Sequence, residues 1–187
     1  MLPIDRRNLL CLLAAAPMVR AQALESIAVI GFELIDDHPD PARDATMRRR
    51  LAAIHVQLEQ GLTERGLYRV IDTAPAKEQI DAARAANAFV HECNGCLAPI
   101  GQRLGTRLVA VGWVQRVSEL ILNINVAVKD AASGADVLTK SVDLRGNNDE
   151  SFVRGMNFML RDWAERRARN QTISSSALSF VPSWRSR

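Results

Sequence analysis

The sequence predicts one α/β domain on a mixed five-stranded sheet, in the order β-α-β-α-β-β-β-α with a short extra helix after a Cys-x-x-Cys pair. Three observations carry that reading. Short apolar runs alternate with helical patterns in the first half of the chain, as in parallel βα units. Two later segments alternate apolar and polar residues, the mark of antiparallel strands with one buried face. An apolar stripe at helical spacing then closes the pattern.

The elements follow in order. Ile27-Ala28-Val29-Ile30-Gly31-Phe32-Glu33-Leu34 reads as a buried strand and ends in an acidic, proline-containing turn, Asp36-Asp37-His38-Pro39-Asp40-Pro41. From Ala45 to Arg65, Met47, Leu51, Ile54, Leu58 and Leu62 form the apolar stripe of a helix, which Gly66 stops. His55 falls off that stripe and is expected to be partly exposed. A second strand at residues 67–72 and an alanine-rich helix at 76–86 complete the second βα unit. A short helix at 95–104, closed by Gly105, leads into a third strand at 107–115. Leu120, Leu122, Ile124, Val126 and Val128 alternate with Asn123, Asn125, Ala127 and Lys129 in a fourth strand. After a turn at 132–135, Leu138, Val142 and Leu144 mark the fifth. Phe152, Met156, Met159, Leu160 and Trp163 lie on a last helix, expected to end near Arg167.

Residues 1–23 carry Arg6 and Arg7, an apolar stretch at 9–16 and Ala21-Gln22-Ala23, the pattern of a secretory signal with its cleavage site. The apolar stretch would span only about 12 Å as a helix, too short for a retained anchor. The paired arginines before Asn8-Leu9-Leu10 resemble a twin-arginine signal, and a general secretory signal is the alternative. The expected organisation is a signal at 1–23, an α/β domain at 24–168 and a flexible C-terminal tail at 169–187. Localisation is expected to be periplasmic.

The 187 residues are 48% hydrophobic and 24% charged with a net charge of +3, which excludes collagen-like and disordered chains. Loss of Arg6, Arg7, Arg20 and Asp5 with the signal would leave 21 basic and 20 acidic residues, a net charge of +1. So weak a field gives no reason to expect nucleic acid as a partner.

The helix at Ile100-Gly101-Gln102-Arg103-Leu104-Gly105 running into Val109-Ala110-Val111-Gly112 is similar to periplasmic domains of the TolB amino-terminal and curli-secretion lipoprotein type. Cys93-Asn94-Gly95-Cys96, Val111-Gly112-Trp113-Val114, Val117-Ser118-Glu119-Leu120-Ile121-Leu122-Asn123 and Arg145-Gly146-Asn147-Asn148-Asp149-Glu150-Ser151 resemble an uncharacterised family of exported proteobacterial proteins. That resemblance covers about residues 27–163 and implies an exported α/β domain, loosely associated with quinoprotein alcohol oxidation. It implies no reaction.

Cys93 and Cys96 admit three readings. In an oxidising compartment they form a structural disulfide closing a short loop. At the start of a helix, whose dipole stabilises a thiolate, Cys93 would be the attacking thiol and Cys96 the resolver of a thiol-disulfide oxidoreductase. With His91 and Glu92 nearby, they could contribute to a soft-metal site, although a fourth ligand is not evident. Leu97 in place of His excludes covalent c-type haem.

Asp36, Asp37, His38, Asp40 and Asp44 gather oxygen and nitrogen donors at the end of the first strand, without the spacing of a calcium loop. Arg145 to Ser151 reads either as a charged binding edge or as a capped turn, with Asp149 accepting helix N–H bonds and Arg145 pairing carboxylates. The chain lacks a Gly-x-Ser-x-Gly elbow, a Walker loop and a dinucleotide fingerprint. The expectation is a non-catalytic periplasmic binding or assembly protein without cofactor or metal, acting on a protein partner and serving a quinoprotein oxidation system. Its candidate surface comprises Asp36, Asp37, His38, Arg145, Asn147, Asn148 and Asp149, with Cys93/Cys96 as the disulfide or, alternatively, the redox pair of an oxidoreductase or electron-transfer accessory.

Overall fold

The computed structural model describes residues 23–37 and 39–178. Five strands and four α-helices follow one another as β1 (Ser26–Asp36), α1 (Pro41–Glu64), β2 (Arg69–Ile71), α2 (Lys77–Ala86), α3 (Ala98–Leu104), β3 (Leu108–Arg116), β4 (Leu122–Asp130), β5 (Asp136–Leu144) and α4 (Asp149–Leu178). The sheet order is β2-β1-β3-β4-β5. β1 lies parallel to β2 and β3, and β4 and β5 return antiparallel, so the sheet is mixed as the patterns require.

Helices α1 and α4 cover one face. Ile54, Leu58 and Leu62 of α1 meet Phe152, Met156 and Trp163 of α4 over Ile27, Val29, Ala110, Ile124 and Val126. Each fully buried side chain of this size contributes about 1.5–3 kcal/mol through removal of apolar area from water. On the other face Ile80 and Ala83 of α2 and Ile100 of α3 pack with Ala28, Ile30, Val109 and Val111, and the cysteines join that smaller core. Among the described residues no helix is long and apolar enough to cross a membrane.

Element ends depart from the periodic stripes where polar caps act. Asp40 accepts the Ala42 N–H at 3.0 Å and Pro41 occupies the first turn, so α1 begins ahead of its apolar stripe. Helix α3 begins at Ala98 rather than at residue 95, and α4 continues beyond Arg167 to Leu178. Strand β4 begins at Leu122, leaving Leu120 in the hairpin turn. His55 is partly buried, and its Nδ1 is enclosed without a hydrogen-bond partner.

Strand β1 contains a bulge. Val29 pairs with Ala110 and Phe32 with Gly112, so Ile30 and Gly31 together oppose Val111. Gly31 supplies the required φ of +103°, where an L side chain is disfavoured. The extra residue keeps Phe32 and Leu34 on the α1/α4 face and sends Glu33 to the other. Gly112 makes room for the Phe32 ring, which lies where a side chain at that position would start.

Candidate functional site

The carboxyl ends of β1 and β3, the start of α1 and the β5–α4 connection converge on one charged network. Asp36 and Arg116 are register partners on adjacent parallel strands. Arg116 donates Nε to Asp36 Oδ1 at 2.9 Å and Nη2 to Oδ2, with side-chain exposures of only 4% and 9%. That bidentate pairing raises the affinity of the guanidinium for its proton. Arg116 Nη1 also donates to Glu119 Oε1 at 2.9 Å.

Glu119 is held from three directions. Asn147 Nδ2 donates to its Oε2 at 2.9 Å, and Arg43 bonds the same carboxylate while its Nε donates to Asp40 at 2.7 Å. The Asn147 amide, followed by the Arg43 and Arg116 charges, holds the Glu119 carboxyl below its ordinary pKa. Arg50 extends the chain of contacts, donating Nη1 to Asn147 Oδ1 at 2.7 Å and Nε to Asp149 Oδ1 at 2.6 Å. Arg50 accordingly holds Asp149 below its ordinary value.

The network fixes the base of the β3–β4 hairpin, whose turn at residues 117–121 projects apolar side chains. Leu120 is 78% exposed, Ile121 59% and Val117 38%. The Val117 N–H reaches Ile121 O at 3.0 Å, and Ser118 Oγ accepts the Ile121 N–H at 3.2 Å. Its own hydrogen bonds therefore hold the turn, and Glu119 clamps it to the first turn of α1 and to the β5–α4 connection. Contiguous exposed apolar residues at a rigid point mark an interaction surface more often than scattered ones do.

Several residues singled out in the sequence meet here and others do not. Asp36, Asn147 and Asp149 belong to the network, as does Asp40 through Arg43. Asp37 lies beside it, exposed, with its N–H on Arg116 O at 3.2 Å. His38 lies outside the described residues. Asn148, not Asp149, caps α4: its Oδ1 accepts the Ser151 N–H at 2.9 Å, leaving the Asp149 carboxylate for Arg50. The guanidinium of Arg145 makes no ion pair among the described residues and lines a surface cleft instead. Arg116 and Glu119, which organise the network, were not singled out, because their partners lie up to 80 residues away in the chain.

Cys93 and Cys96 are joined as a disulfide with Cα atoms 6.0 Å apart. Cys93 precedes the N-cap of α3, Leu97, by four residues, so the dipole of that helix, confined to its first turn, does not act on the thiol position assigned to attack. His91 is engaged by other side chains. Its Nδ1 lies 3.1 Å from Glu33 Oε2, and its ring stacks on Trp113 with centroids 4.2 Å apart. Glu33 Oε1 also accepts the Val90 N–H at 2.8 Å. The bulge at Gly31 thus lets Glu33 and Trp113 pin the cysteine-bearing segment to the sheet. Among the described residues, no group of three or more His, Cys, Asp or Glu stands close enough to hold a metal ion.

Residues 25–163 match the family described as "Protein of unknown function (DUF2380)". The chain belongs to that family. No curated protein matches it in sequence. Among solved structures it is similar to lipoprotein GNA1162 from Neisseria meningitidis, with 18% identity over 83% of this chain and 99% of that one, at a TM-score of 0.46. The PelC dodecamer from Paraburkholderia phytofirmans shows 14% identity over 76% and 88%, at a TM-score of 0.42. The LpoB C-terminal domain from Escherichia coli shows 13% identity over 65% and 83%, at 0.38. Likenesses this distant carry no function to the chain.

Proposed function

We propose that the protein is a non-catalytic docking protein of the cell envelope, which seats the apolar tip of its β3–β4 hairpin in a groove on a protein partner. The observation that carries this reading is the pairing of exposure with rigidity. Leu120 and Ile121 face solvent while Glu119 between them and β3 is tied to Arg116, Arg43 and Asn147. A turn built only to connect two strands has no need of two exposed aliphatic side chains, nor of three donors on one carboxylate. Fixing the tip in advance lowers the ordering cost of association.

Two segments that support the family resemblance, residues 117–123 and 145–151, meet at the bond between Glu119 and Asn147. The envelope setting rests on the secretory pattern of residues 1–23, which lie largely outside the described residues, and service to a quinoprotein oxidation system rests on the family resemblance. The partner is taken to be periplasmic for the same reason.

Photo-cross-linking tests the reading. A benzophenone amino acid replacing Leu120 or Ile121 in cells producing the full chain is expected to give a discrete protein adduct, absent when the same group replaces Glu59. Adducts to lipid alone, or the same adducts from position 59, would overturn it.

A further inference from the structure

Strand β5 ends the sheet, and among the described residues no strand pairs with its outer edge. Natural edge strands are usually blunted by proline, bulges, charged residues on the edge or inward-pointing charges left without a partner in the chain. From Leu138 to Leu144 the pairing of β5 with β4 is regular, and Asp136–Leu144 contains neither proline nor glycine. Its one lysine, Lys140, turns inward, where Asp162 of α4 neutralises it at 2.5 Å. The edge is therefore a usable template for another strand.

Beside that edge runs a cleft of about 780 Å³ between β5 and α4. Its apolar wall is Val142, Leu144 and Phe158, the last 52% exposed. Gly155 brings α4 close to the strand there, since a side chain would meet Leu144. Three guanidiniums, Arg145, Arg154 and Arg161, line the same cleft, and Asp143 is the carboxylate among its lining residues. Arg154 pairs with Glu150 within its own helix, Arg161 lies over the Phe158 ring at 5.5 Å, and Arg145 makes no ion pair among the described residues.

We propose that this edge takes up an extended acidic segment of a partner protein, in which carboxylates alternate with aliphatic residues, as an added strand beside β5. Backbone groups of β5 would supply the ladder, and the side chains pointing to α4 would meet Phe158 and the arginines. Alternate side chains of a strand share a face, so the carboxylates would turn toward α4 and its arginines while the aliphatic residues lie on the opposite face of the sheet. The surface is separate from the hairpin tip and does not depend on it.

The test is fluorescence anisotropy with a labelled Glu-Val-Glu-Val-Glu-Val-Glu peptide on the folded protein. Saturable binding is expected, weakened about tenfold or more by R145E/R161E, and unchanged by L120D/I121D. The same peptide N-methylated at alternate backbone positions is expected not to bind, a comparison that needs no change in the protein. The proposal is overturned by equal binding of the methylated peptide, by full binding to R145E/R161E, by no binding at all, or by displacement with equimolar decanoate, which would assign the cleft to small amphipathic anions.

Discussion

Arg116 and Glu119 are joined across the base of the β3–β4 hairpin, Nη1 to Oε1 at 2.9 Å, while the rest of the guanidinium is spent on Asp36 of the neighbouring strand. One buried cation thus couples the sheet to the turn that carries Leu120 and Ile121. The consequences can be measured separately.

Arg116→Met leaves Asp36 buried beside β3 without its bidentate partner. Breaking such a pair from one side costs about 3–5 kcal/mol, because the remaining buried charge loses its bidentate counter-charge. Urea unfolding is expected to show that loss, and a second change, Asp36→Leu, to restore much of it. A loss below about 1 kcal/mol would place the pair among ordinary surface bridges.

Acid should weaken the network in a defined direction. Glu119, Asp40 and Asp149 have lower pKa values folded than unfolded, so the unfolded chain binds protons first as the pH falls. Their contribution is complete above the ordinary carboxylate range and is lost as the pH drops through the depressed values. Stability profiles are expected to be flat from neutrality down to that range. Glu119→Gln should then lose less on further acidification than the wild type; parallel profiles would contradict the assignment.

Replacing Asn148 with alanine removes the α4 cap and is expected to cost about 1 kcal/mol, whereas Asn148→Asp retains an acceptor for Ser151 and should cost less. Thermal unfolding of the two variants distinguishes them. Equal losses would mean that side-chain capping is not what Asn148 contributes.

Removal of the disulfide by Cys93→Ser with Cys96→Ser tests the redox reading. The loop between the cysteines is short, so the expected loss is about 2 kcal/mol or less. The contact of His91 with Glu33 and Trp113 should persist and keep the segment in place. The cross-link at position 120 is expected to survive in this variant, and its disappearance would make the thiols functional.

The architecture was legible because hydrophobic periodicity reports which faces are buried, and both cores follow it closely. Legibility stopped where polar contacts between distant segments decide the outcome. Leu120 continues the alternation of β4 on paper, yet the bonds of Ser118 and Glu119 turn the chain before it. Asp149 and Asn148 are both capping residues, and only the position of Arg50 assigns one to the cap and the other to an ion pair. The bulge that re-aims Glu33 left no signal beyond a single glycine in an apolar run. The acidic turn was visible as a cluster of donors, but that Asp36 would be claimed by Arg116, and Asp40 by Arg43 and the α1 cap, required the topology.

The central claim is that the clamped apolar tip is what the partner recognises. The direct measurement is the Kd of the protein captured at position 120 for the wild type and for Leu120→Asp/Ile121→Asp, with unfolding curves recorded alongside. The account predicts a weakening of about tenfold or more at unchanged stability, as for central apolar anchors of an interface. An unchanged Kd in a folded double variant would contradict it.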